Sequence, residues 1–196
     1  MTGRAQLGRG SETRARILDA TIDVLVQAGY ARTTTQEVTR RSGVSRGAQL
    51  HHFPTRESLV IAAVSRLVDR RLAELVASAP ELSGLDVLLE AFSGPLFDAT
   101  LEVWVAARTD SVLRAAMVPL EQTVADKVRA GCHELFGEQL TAEQMELSVE
   151  IARGLAVSRI FRDEAGERAI RARLLPAWES MVGLSGSGSS TPMADD

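Results

Sequence analysis

Residues 33–59 read TTTQEVTRRSGVSRGAQLHHFPTRESL, and the punctuation of this stretch leaves the chain few folds to choose from. Thr34-Thr35-Gln36-Glu37 has the spacing of a capping box, with Glu37 placed to reach back to the Thr34 amide, so a helix opens there. It must close by Gly43, and after Val44 the hydroxyl of Ser45 is placed to cap a second short helix. That helix ends near His52, because Pro54 disfavours helical geometry at Phe53. Thr55 then caps a longer one. Two short helices joined by a tight glycine-containing turn make a helix-turn-helix.

The side chains of this stretch sort into two sets. Val38, Val44, Ala48 and Phe53 are the expected inward positions, and small residues at Thr39, Ser42, Gly47 and Ala48 permit close helix approach. Facing outward are Arg40, Arg41, Arg46, either Gln49 or Leu50, His51 and Arg56. Thr33, Thr34 and Thr35 offer hydroxyls and amides at a helix N-terminus, where a phosphate is well placed. Arg46 suits bidentate contact with guanine, and Leu50 suits a thymine methyl. The exposed Gly47 would let the helix approach base edges. With Ser45, His52 and Thr55 these residues form the candidate DNA-binding set. Charge points the same way: residues 1–56 hold nine arginines against four acids, although the whole chain carries −4. A basic end on an acidic body suits a polyanionic partner.

Residues 11–59 resemble the DNA-binding domain of the TetR family of bacterial one-component regulators. The resemblance rests on AGYARTTTQEV, the turn SGVSRGA and the following HHFPTRESL, in which Thr-Arg-Glu directly follows Phe-Pro. The family usually has an apolar residue followed by Tyr where this chain has Gln49-Leu50, so Leu50 does not inherit that tyrosine's contact with the DNA backbone. Val38-Thr39 and Ser42 are small-for-small departures.

The remaining chain also reads as helices, with no sustained strand-like alternation. Ser11 is the expected N-cap of the first helix, whose Ile17, Leu18, Thr21, Ile22 and Leu25 share one face before Gly29 stops it. The helix after Thr55 is expected to reach Ala79, before Pro80. Further helices are expected at about 83–93, 95–108, 110–136, 141–163 and 167–184, with breaks at Gly94-Pro95, Asp110, Gly137 and Gly166. The fold class is therefore all-α with about nine helices. An N-terminal three-helix domain with the helix-turn-helix (11–56) is followed by a C-terminal helical domain (57–184). Residues 1–10 are expected as a disordered arm, and 185–196 (SGSGSSTPMADD) as a disordered tail of linker composition.

The resemblance implies that the C-terminal domain binds a ligand and pairs two subunits. Phe92, Phe97, Leu101, Trp104, Val105 and Met117 are candidates to line an apolar cavity, with Arg108 reading a polar group. Any one of the apolar residues is more readily plain core, and Arg108 could equally be solvated. In the last two helices Ala152, Leu155, Ala156 and Arg159, with Leu174, Trp178 and Met181, are the expected dimer interface. A homodimer is also physically required, because one short recognition helix reads too few base pairs for useful specificity.

Other classes are disfavoured. No apolar run approaches the roughly 18 residues of a membrane span, and the N-terminus lacks the apolar segment of a secretory signal. The single Cys132 precludes an intrachain disulfide and a cysteine-rich metal site, so a cytoplasmic location is expected. His51 and His52 point to different helix faces and only His133 exists elsewhere, so no metal site is expected. No nucleophile elbow, phosphate-cradling glycine loop or HExxH pattern occurs, and neither catalytic residues nor a cofactor are assigned beyond an unknown small-molecule effector. The expected function is a ligand-responsive regulator of transcription, bound as a dimer to a palindromic double-stranded operator and released by a small molecule. An activator of the same fold, a helical enzyme and an interaction protein without DNA binding are the alternatives.

Overall fold

Helix boundaries follow the caps and breakers of the sequence in a computed structural model that describes residues 2–78 and 85–184. Among the described residues there are nine α-helices and no strand: α1 (Thr2–Arg32), α2 (Thr35–Ser42), α3 (Arg46–His52), α4 (Arg56–Ser78), α5 (Asp86–Ala91), α6 (Gly94–Ala107), α7 (Ser111–Phe136), α8 (Ala142–Ser158) and α9 (Glu164–Met181). The expected end of α4 at Ala79-Pro80 and the expected tail at 185–196 lie outside the described residues.

Three expectations need correction. The backbone of α1 begins at Thr2, not at Ser11, and takes in the segment expected to be disordered. No proline interrupts residues 2–10, and the glycines at 3, 8 and 10 each cost about 1 kcal/mol of helix propensity without removing a donor. Gly166 does not break the last helix. It lies in the first turn of α9, where its N–H donates to the capping carboxylate of Asp163 at 2.8 Å. The α8 segment stops at Ser158 and tightens into a 3₁₀ turn over Arg159–Phe161.

The chain divides into two compact units, Met1–Val76 with Ser93–Lys127, and Ala77–Phe92 with Val128–Asp196. In the first, Ile17, Leu18 and Val24 of α1 meet Val38, Val44, Phe53 and, from α4, Leu59, Ala63 and Leu67. Ile17, Leu18, Val38, Val44 and Phe53 are among the positions expected inward, Val24 was not, and each fully buried aliphatic chain contributes about 1.5–3 kcal/mol. A second cluster joins Leu25 and Tyr30 to Val60 and Val64 of α4, Val103 of α6, and Leu113 and Met117 of α7. Arg16 donates to the Ser42 carbonyl at 2.7 Å and ties α1 to the end of α2. Asp19 accepts from Arg66 and Arg70 at 3.1 and 2.6 Å, pairs exposed enough to add roughly 1 kcal/mol or less.

The second unit has its own core of Leu85, Leu88, Cys132, Phe136, Leu140, Ala152, Trp178 and Val182. The Trp178 indole N–H donates to Ser148 Oγ at 3.1 Å, satisfying both buried groups. Thr141 and Gln144 cap α8 reciprocally.

Candidate nucleic-acid interface

The helix pair α2–α3 is built by its caps. Thr34 Oγ1 accepts the Glu37 N–H at 3.2 Å, and Gly43, at φ 63°, closes α2 by returning its N–H to Thr39 O. Ser45 Oγ accepts the Ala48 N–H at 3.2 Å, and α3 ends where Phe53 N–H reaches Gln49 O at 2.8 Å. With seven residues α3 is too short to be stable alone, so burial of Val44, Ala48 and Phe53 against α1, α2 and α4 must hold it.

The second half of the expected capping box does not form. The Glu37 carboxylate is taken by Arg40, at 2.6 and 2.8 Å, and by Arg41 at 2.9 Å, while Thr34 N–H turns to Arg32 O. Two guanidiniums offer a carboxylate more than one backbone amide does. They hold the Glu37 carboxyl down at about 2, with Arg40 the larger influence. Arg41 also reaches Gln27 at 2.7 Å. Beside them an open groove is lined by Ala28, Ala31, Arg32, Thr34, Glu37 and Arg41. Arg32 was not among the sequence candidates, although its place in the last turn of α1 beside Thr33 was a signal for it.

On α3 the structure resolves the Gln49–Leu50 ambiguity. Leu50 is 42% exposed and Gln49 only 1%. The side-chain amide of Gln49 meets Thr39 Oγ1, which also donates to Thr35 O at 2.7 Å. A hydroxyl has a single proton, so if Thr35 O takes it, the amide presents its NH₂ to Thr39. Gln49 is therefore an α2–α3 tie rather than an outward side chain. The outward face of α3 is Arg46, Gly47, Leu50 and His51, all exposed, and Arg46 has no partner among the described residues. Ser45 is exposed with its oxygen engaged as the cap, and His52 is half-buried between His51 and Phe53.

Two further candidates turn inward. Thr33 is fully buried, and its hydroxyl donates to Gly29 O at 2.9 Å. The Arg56 guanidinium donates to Tyr30 O at 2.5 Å and Thr33 O at 2.8 Å, and stacks 4.0 Å from the Tyr30 ring centroid. Arg56 thus closes the α1–α2 turn instead of projecting a free cation. Thr34 and Thr55 are exposed and Thr35 half-buried; Thr55 and Ser58 cap α4 mutually.

The ligand candidates separate. In the first unit the Phe97 and Trp104 rings meet edge-on at 5.9 Å, and the Trp104 indole N–H donates to Glu121 at 2.5 Å. Met117 is buried in the core that Trp104 flanks, and Leu101 is half-buried. Val105 (60% exposed) and Arg108 face solvent, since α6 turns Val103 and Ala107 inward and so points Val105 away. Phe92 belongs to the second unit, under the Arg153 guanidinium at 5.6 Å.

Among the dimer candidates, Ala152, Ala156 and Trp178 are already covered within one chain, while Leu155, Arg159 and Leu174 are half-buried. Other apolar groups of this unit stay outside: Leu135 and Leu147, and a set at the helix ends made of Val157 on α8, Ile160 and Phe161 in the turn that follows it, and Met181 closing α9. Phe161 is 88% exposed. The apolar doublet before the charged run RDEAGE was its sequence signal. Among the described residues no metal-binding cluster exists, and no helix is long and apolar enough to cross a membrane.

Residues 17–63 match the family model described as bacterial regulatory proteins, tetR family. An uncharacterized HTH-type transcriptional regulator of Mycobacterium tuberculosis is 32% identical over 149 residues, covering 72% of this chain and 76% of the relative. The HTH-type transcriptional regulator CymR of Pseudomonas putida is 32% identical over 170 residues, covering 83% of this chain and 74% of CymR. Among solved structures, the multidrug binding protein EbrR complexed with imidazole superposes with a TM-score of 0.62 at 27% identity, covering 83% of this chain and 89% of EbrR.

Proposed function

Because the chain belongs to the TetR family of bacterial regulatory proteins, a class of DNA-binding regulators and not of enzymes, we propose that it represses transcription as a dimer on a palindromic operator and is released by a small molecule. The observation that carries this reading is the outward face of α3: an Arg46 with no partner among the described residues, a bare Gly47, an exposed Leu50 and His51, on a helix whose other side is locked by Gln49 and Phe53. Arg46 would read guanine and Leu50 a thymine methyl in the major groove. Phosphates would lie at the N-terminus of α2, against Thr34, Thr35, Arg32 and Arg41.

A second copy of the chain would cover Val157, Ile160, Phe161 and Met181, since exposed aromatic anchors of this kind mark interfaces. The effector would enter the helical region beyond α3. EbrR, a multidrug binding protein complexed with imidazole, supports a small organic molecule as the class of effector. Such a ligand shifts DNA binding only by the difference of its affinities for the bound and released states, and α4, which follows the DNA-reading helix, is the element it would move.

The test is selection of bound sequences from a random duplex pool, followed by titration at several salt concentrations. Binding should weaken steeply with salt, as phosphate contacts require. Arg46→Ala should relax preference at one base pair per half-site by about 1–3 kcal/mol. Absent or salt-insensitive binding at micromolar protein would refute the reading.

A further inference from the structure

We infer that Glu102, on α6 and 72 residues from its partner in sequence, is a positioning residue for DNA binding. Gly29 has φ 78° and ψ 174°, a region open essentially to glycine, and there the chain leaves the straight part of α1. That break turns the Tyr30 N–H out of the helical hydrogen-bond ladder. Glu102 Oε2 accepts it at 2.7 Å.

Glycine and glutamate form a matched pair. A Cβ at position 29 would stand 2.2 Å from Glu102 Oε2, so the carboxylate occupies the space that the missing side chain leaves. From the opposite direction Arg56 of α4 holds the Tyr30 and Thr33 carbonyls, and the Thr33 hydroxyl returns to Gly29 O. The turn is thus held from α6 and α4 at once. The next residue, Thr34, is the N-cap of α2, and α2 carries α3 through Thr39 and Gln49. A charge-assisted bond at Tyr30 N–H therefore fixes the phosphate-facing end of α2, and through it the angle of the recognition helix. Glu102 needs no contact with DNA to do this. The inference rests on the DNA-binding reading above and adds to it a control point outside the helix-turn-helix.

The test uses the full chain with Glu102→Ala and Glu102→Gln, a duplex selected by the unaltered chain, fluorescence anisotropy, and amide hydrogen exchange. Glu102→Ala should lower affinity about tenfold or more and speed exchange in peptides spanning 29–36, but not in those of α8 and α9. Glu102→Gln keeps an acceptor oxygen and should restore most of the affinity. Wild-type affinity in Glu102→Ala, equal losses in both variants, or faster exchange throughout the chain would each overturn the role. If the unaltered chain selects no duplex, the DNA reading fails and this inference with it; if it selects one and Glu102→Ala binds equally, only this inference fails.

Discussion

Replacing Gln49 with Leu separates a base reader from a helix tie. Gln49 is 1% exposed and its amide meets Thr39 Oγ1, which keeps a second partner in Thr35 O at 2.7 Å. Gln49→Leu removes one hydrogen bond, worth about 0.5–1.5 kcal/mol, without stranding Thr39. It also removes the cost of burying an amide, on the order of 1–3 kcal/mol, and roughly conserves volume. These terms oppose each other, so stability in urea should stay within about 1 kcal/mol of the unaltered chain. A glutamine paired with adenine would instead contribute about 1–3 kcal/mol of base discrimination, about 5- to 150-fold. Competition anisotropy on duplexes that vary one position at a time should therefore show Gln49→Leu with the unaltered preference. Leu50→Ala, one residue on and exposed, should lose preference at a single thymine. Loss of adenine preference in a normally folded Gln49→Leu would refute the burial argument.

Phe161→Glu should leave the fold intact and give a monomer by sedimentation at tens of micromolar, since it charges the most exposed aromatic group of the second unit; an unchanged dimer would exclude this face. Tyr30→Phe should raise stability by about 1 kcal/mol in urea unfolding, because the Tyr30 hydroxyl is buried with no hydrogen-bond partner among the described residues. A loss would mean that the hydroxyl is satisfied. The Glu37 carboxyl should titrate by NMR near its depressed value of about 2, rising toward 4.5 in Arg40→Gln. Because folding lowers this value, its clamp on Arg40 and Arg41 is complete above about pH 4.5 and is lost as pH falls through about 2. An ordinary carboxylate midpoint would show that the clamp is absent in solution.

The boundaries of α2 and α3 were legible because Thr34, Gly43, Ser45 and Pro54 act locally, each within a few residues of the backbone it caps or breaks. The phase of α3 was not: over seven residues a 3.6-residue period hardly distinguishes adjacent positions, and Thr39, ten residues away, decides between Gln49 and Leu50. Arg56 reads as one more outward cation until Tyr30 and Thr33, more than twenty residues upstream, claim its guanidinium. Gly166 reads as a break because glycine is a poor helix former, yet the Asp163 cap three residues earlier decides. Ala152 and Ala156 on α8 read as interface positions because the sequence does not say which helix their small side chains admit to close approach. Ala152 spends that closeness on the core of its own unit.

The seven-residue recognition helix has a consequence for how such a protein can change targets. Its anchors (Val44, Ala48, Gln49 and Phe53) and its exposed side chains (Arg46, Leu50 and His51) occupy separate faces, so almost none of the folding free energy passes through the residues that would touch bases. Exchanging the exposed set should redirect the chain to a new DNA sequence at little thermodynamic cost, whereas exchanging the anchors would unseat the helix. A duplicated copy could thus acquire a different regulon by a few outward substitutions, with its scaffold inherited unaltered.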